Sequence, residues 1–159
     1  MRKKALQKNK AFVILYAIIV ASIVLSVAFG VSNIALKEVN FSTSAQNTND
    51  AFYAADTGIE CATFNDRTSS LSFRPVGGSD QVVCAGNTIP MTGSYAAGWA
   101  FDLPLSNGAC AKVTVFKDTI TSSPKIITKI VSRGYNVGAA GSLCSLMNYQ
   151  TEREIRVTY

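Results

Sequence analysis

AFVILYAIIVASIVLSVAFGV, residues Ala11 to Val31, runs 21 positions without a charge. At helical rise this is roughly 30 Å, the thickness of a bilayer's hydrocarbon core. The stretch predicts a membrane-spanning helix, and the rest of the chain is read outward from it. It exceeds the apolar region of an ordinary secretory signal, and Ala28-Phe29-Gly30 makes a poor small-residue cleavage site, so an ordinary signal peptidase is not expected to remove it. The decapeptide MRKKALQKNK before it holds Arg2, Lys3, Lys4, Lys8 and Lys10, whereas Lys37 and Glu38 balance each other after it. By the positive-inside rule the N-terminus stays in the cytoplasm and the remainder is exported.

Composition points the same way. A chain of 159 residues with 48% apolar and only 16% charged residues is one ordinary domain beside something that is not globular surface. The net charge of +5 sits in the leader: from residue 12 onward there are 10 basic and 10 acidic residues. Histidine is absent. That removes Ser-His-Asp and Cys-His nucleophilic sites and the commonest zinc ligand sets, so neither an enzyme nor a metal or other cofactor is expected.

Cys61, Cys84, Cys110 and Cys144 all fall on the exported side, where disulfides persist. Two bridges are the natural reading. Three pairings exist, and sequence neighbours are favoured: Cys61 to Cys84 ties the end of a helix to a first strand, and Cys110 to Cys144 pins a long loop. Each closure contributes on the order of 3 kcal/mol.

No proline follows the span until Pro75, and a stripe of Phe41, Ala45, Thr48, Phe52, Ala55, Ile59 and Ala62 continues in steps of three and four. That spacing is one helix face. It extends the helix to about residue 64, with Gly30 and Ser32-Asn33 as its weak point and with frayed structure over Ser42 to Asp50 unless tertiary contacts support it. From Arg67 the chain turns to Ser, Gly, Pro and Asn between short β-rich runs. Strands are expected at Gln81 to Cys84, Trp99 to Leu103, Ala111 to Lys117, Lys125 to Arg133 and Arg153 to Tyr159. Asp118 to Pro124 reads as a loose hairpin and Asn136 to Gln150 as a long loop. The last three strands form an antiparallel meander covered by the helix stripe.

The expected architecture is therefore α+β, a long N-terminal helix packed on a small antiparallel sheet. Its segments are a basic leader at 1–11, a transmembrane or filament-core helix at 12–31, an amphipathic continuation at 32–64 and a disulfide-stabilised β-rich head at 65–159.

A basic leader, a small residue and then Phe opening an uncharged helix (Lys10-Ala11-Phe12-Val13-Ile14-Leu15) resembles the signal of type IV pilins and type II secretion pseudopilins. Ala51-Phe52-Tyr53-Ala54-Ala55-Asp56-Thr57-Gly58-Ile59-Glu60 resembles the helix-end motif of PilX-like minor pilins, carried by Phe52, Ala55, Asp56, Gly58 and Glu60. The resemblance implies a pilin-like fold, cleavage by a prepilin peptidase between Ala11 and Phe12, methylation of the new Phe12 amine, and residence in the cytoplasmic membrane before assembly into a cell-surface or periplasmic filament. Other pilin subunits would be its partners. The family usually has Gly where this chain has Ala11. Most major pilins also carry Glu as the fifth mature residue, where it pairs with a neighbour's amine. This chain has Tyr16, a departure that the family shows in subunits at filament tips, and a minor or tip-associated subunit is the preferred expectation. Tyr16, Ala17, Ala21 and Gly30, with Ser22, Ser26 and Ala28, would form the subunit interface, small residues letting helices approach closely. The alternative is a single-pass anchored binding or adhesion module that does not polymerise.

Other constellations have plainer readings. Residues 111–159 hold 7 basic and 3 acidic residues, but Glu152 and Glu154 begin a strand expected beside Lys129 and Arg133, so cross-strand pairs account for the cluster. With no aromatic interleaving, nucleic acid is not expected as a partner. Asp56 and Glu60 read as a solvated helix face, Gly58 as either a close approach of a neighbouring backbone or the onset of the helix end, and Tyr95, Trp99 and Phe101 as core.

Overall fold

The computed structural model describes residues 3–68, 72–74, 80–84, 86–119, 126–141, 143–145 and 150–159, with the side chains of 3–11 and 119 outside the description. Helix α1 spans Lys3–Arg67. Nine strands follow: β1 (Gln81–Cys84), β2 (Asn87–Pro90), β3 (Thr92–Ser94), β4 (Gly98–Pro104), β5 (Cys110–Thr119), β6 (Ile126–Tyr135), β7 (Ala139–Ala140), β8 (Leu143–Cys144) and β9 (Glu152–Thr158). The five expected strands correspond to β1, β4, β5, β6 and β9. The tip of the expected hairpin, 120–125, lies outside the described residues, and the expected long loop at 136–150 contains the β7–β8 hairpin.

Two compact units divide the chain, residues 1–44 and 45–159. Over its described residues, 3–44, the first is helix alone. Gly30 and Ser32-Asn33 remain helical, and the hydroxyls of Ser22, Ser26 and Thr43 donate to carbonyls three or four residues back at 2.8 to 2.9 Å. Such bonds keep hydroxyl residues inside a helix instead of leaving them to compete with it.

In the second unit an antiparallel sheet of order β3-β4-β5-β6-β9 carries the core. Leu103, Ala111 and Gly134 lie side by side across it, as do Phe101, Val113 and Ser132, and Trp99, Val115 and Ile130. Period-2 alternation sends all nine to the face under α1. Trp99 and Phe101 are core as expected, Trp99 edge-on to Phe73 and to half-buried Tyr95 at 5.6 and 5.9 Å.

The covering face of α1 differs from the expected stripe. Ala51, Ala54, Ala55, Gly58, Ile59 and Ala62 are buried, while Phe52 is 48% and Phe41 78% exposed. The sheet decides this. A Cβ on Gly134 would overlap the Ala51 carbonyl oxygen and the Ala55 amide nitrogen, and one on Gly58 would overlap Ser132 Oγ and come within 2.8 Å of Val113. At that separation only small side chains fit, and a phenyl ring at position 52 is turned outward. Gly58 thus marks close approach to the chain's own sheet, and the helix continues about two and a half turns past it rather than ending there.

Side-chain bonds fasten the end of α1. Asn65 is buried and donates to the Val83 carbonyl at 2.9 Å while accepting from the Val83 amide at 3.2 Å, so its amide stands in for a neighbouring strand along β1. Cys61 and Cys84 form the expected disulfide, their Cα atoms 5.5 Å apart.

Candidate functional site

Among the described residues, two apolar surfaces stand out as lacking cover. The first is α1 in the 1–44 unit. Phe12, where cleavage and methylation were expected, is 71% exposed and Tyr16 64% exposed, while the side chain of Ala11 lies outside the described residues. Tyr16, Ala17 and Ala21 fall on one face with Val24, Leu25 and Ala28, around a shallow apolar groove of about 620 Å³. Gly30 does not line it; an added Cβ there meets nothing within 4 Å. The helix is long and apolar enough to cross a membrane once, with a mean hydropathy of 2.8 in its best window.

The second surface is a groove of about 1010 Å³ in the 45–159 unit, between α1, the β1–β2 hairpin and the end of β4. Its walls are Phe64, Val83, Ile89, Leu103 and Leu105, beside the Cys61–Cys84 disulfide, and Glu60 is its one carboxylate. Phe64 is 60% and Val83 50% exposed, unusual for large apolar side chains that sit together. Of the helix-end motif, Ala55 and Gly58 serve packing, Asp56 is half-buried, Phe52 and Tyr53 stack edge-on at the surface at 5.9 Å, and Glu60 reaches the groove. Phe64 and Val83 belong to no motif in the sequence. The available signal was that both fall out of phase with the buried face of their own element.

Cys110 and Cys144 are buried thiols here, so the second expected disulfide is not formed. The fold nevertheless brings them together: they share a small cluster with Tyr135 and Ala139, and their side chains are hydrogen-bonding neighbours. Cys144 Sγ also lies 3.5 Å from the Ala111 carbonyl, and Asp102 Oδ2 accepts from the Cys144 amide at 2.9 Å. Burial pushes both thiols up from their ordinary value, which keeps them protonated and slow to react.

The basic cluster is largely paired. Arg133 donates to Glu154 at 2.6 Å from the directly opposite position, Arg156 also pairs with Glu154, and Lys112 lies 3.8 Å from Asp102. The expected partner of Lys129 is not a carboxylate; Thr158 stands opposite it. Lys117 turns to the α1 side and pairs with Asp66, a contact no local pattern announced. Among the described residues no group of three His, Cys, Asp or Glu side chains is placed to hold a metal. No family model, curated protein or solved structure matches the chain.

Proposed function

We propose that this chain is a structural subunit of a type IV pilus-like or type II secretion-like filament, held in the cytoplasmic membrane by α1 until assembly. One observation carries the reading: every large apolar side chain from Phe12 to Phe41 is between 41% and 78% exposed. That stretch is 30 residues, about 45 Å of helix, against about 30 Å of hydrocarbon in a bilayer. Lipid covers the first two thirds, but Ile34, Leu36, Val39 and Phe41 lie beyond it, Ile34 and Phe41 on one side of the axis and Leu36 and Val39 on the opposite side, so no single surface of a partner domain buries all four. A bundle of like helices does. Packing in such a bundle relies on close contact, for which the Ala17–Ala21–Ala28 groove is suited.

Processing between Ala11 and Phe12 by a prepilin peptidase, with methylation of Phe12, belongs to this reading. Mass spectrometry of the purified chain tests it: the expected N-terminus is methylated Phe12, and an intact leader or a start elsewhere counts against it and for a non-polymerising anchored module. Tyr16 supports a minor or tip-associated position, since a phenol cannot supply the carboxylate that would pair with a neighbour's amine in low dielectric. Quantitative proteomics of sheared filaments should find the chain sparse; finding it as the bulk component removes the tip-associated assignment.

A further inference from the structure

Resting on that filament reading, we propose that the groove beside the Cys61–Cys84 disulfide receives the Ile34–Lys37–Phe41 face of α1 from a second copy of the chain, with Lys37 of one copy paired to Glu60 of the next.

Three observations carry the proposal. The groove's volume of about 1010 Å³ matches roughly two turns of helix, about 10 Å across and about 11 Å long. Its α1 wall presents Thr57, Glu60 and Phe64 at i, i+3 and i+7, so one carboxylate is followed a turn later by an uncovered ring. Ile34, Lys37 and Phe41 have the same spacing, with Ile34 61% and Phe41 78% exposed. Lys37 is the only cation between Lys10 and Arg67, and among the described residues neither it nor Glu60 has an ion-pair partner. The charges and the apolar groups are therefore complementary along one shared helical period.

The two patches are different parts of one chain, and in a filament whose copies all run in the same direction the same two copies do not reciprocate the contact, which makes it heterologous. A contact of that type does not close as a two-fold dimer but repeats head to tail, each copy offering its own groove to another. Short runs of copies suffice, so a sparse subunit can still use it.

The full chain in detergent micelles, carrying the photoreactive p-benzoylphenylalanine in place of Val83, tests the placement. Mixing isotopically labelled with unlabelled copies separates links between copies from links within one. The expected result is an intermolecular link from position 83 to the peptide holding residues 32–44. In the otherwise unmodified chain, Glu60→Lys should lower the oligomer fraction at least fivefold, and adding Lys37→Glu should restore it. Both side chains are exposed, so neither change threatens the fold. Links to any other peptide, no link between copies, or a Glu60→Lys chain that associates like the parent would overturn the proposal. Filament membership is read separately: chain processed at Phe12 and recovered in sheared filaments, with the groove contact absent, leaves the filament reading standing and removes only this one.

Discussion

The hydroxyl of Tyr159 donates to Asp66 Oδ2 at 2.9 Å, joining the residue after β9 to the last turn of α1 across 93 positions of sequence. Thr128 Oγ1 donates to the same oxygen at 3.2 Å, Lys117 pairs with Oδ1, and the Arg67 guanidinium lies 4.8 Å from the centre of the Tyr159 ring. The main chain seals the arrangement, with Thr128 and Tyr159 exchanging both backbone hydrogen bonds at 2.8 and 3.0 Å. One carboxylate thus gathers α1, β5, β6 and the end of β9.

Breaking this cluster from the acidic side should be costly, because the Asp66 and Lys117 side chains are only 7% and 15% exposed. Asp66→Ala leaves a buried ammonium and two donors without their acceptor, and is expected to destabilise the 45–159 unit by about 3–5 kcal/mol. Denaturant unfolding of the full chain in detergent, followed through Trp99 fluorescence, measures it. Replacing the pair together, Asp66→Leu with Lys117→Met, should recover much of the loss.

Alkaline titration should reveal the same cluster. Burial, followed by the hydrogen bond to Asp66, pushes Tyr159 up to about 12, and burial with a hydrogen bond to Glu152 does the same for Tyr135. A folded-state value raised above the unfolded one near 10 means that the stability these phenols add is complete below about pH 10 and lost as pH climbs through about 12. Melting temperature should fall over that window, and less steeply in Tyr159→Phe. An identical fall in the variant would show that Tyr159 is not responsible.

The close contact of Gly58 with the sheet makes a paired test. Gly58→Ala puts a methyl group against Ser132 Oγ and Val113 and should cost about 1–3 kcal/mol by overpacking. Ser132 Oγ is itself buried with no hydrogen-bond partner among the described residues, so Ser132→Ala should be neutral or stabilising by up to about 1 kcal/mol. The double variant should lose less than the sum, with a coupling of at least about 0.5 kcal/mol. Strict additivity in unfolding measurements would place the two residues out of contact.

Thiol chemistry has an expected pattern as well. Peptide mapping without reduction should find Cys61 linked to Cys84, and Cys84→Ser should cost about 3 kcal/mol. For Cys110 and Cys144 the contact between the side chains leads us to expect a link to each other after treatment with a disulfide-donating oxidant under mild denaturation, since burial holds both protonated in the folded state. A link from either to Cys61 or Cys84 would contradict the fold around β8.

Local pattern was enough for much of this protein. Twenty-one uncharged positions dictate a helix that cannot rest in water, and alternation in Ala111 to Lys117 dictates a half-buried strand, whereas of the two bridges that sequence proximity favoured, Cys61–Cys84 forms and Cys110–Cys144 does not. The helix and the strand are each written within a few residues of themselves. The face that α1 turns to the sheet is not: Ala51-Ala55-Gly58-Ala62 and Phe52-Ala55-Ile59-Ala62 both keep helical spacing, and the choice falls to Ser132 and Gly134, more than seventy residues away, whose small size lets the backbones approach and leaves no room for Phe52. The Asp66 cluster and the uncovered Phe64–Val83 groove have the same origin. Periodicity fixes how a segment is built, whereas what a side chain meets depends on the volume and charge left by residues that only folding brings beside it.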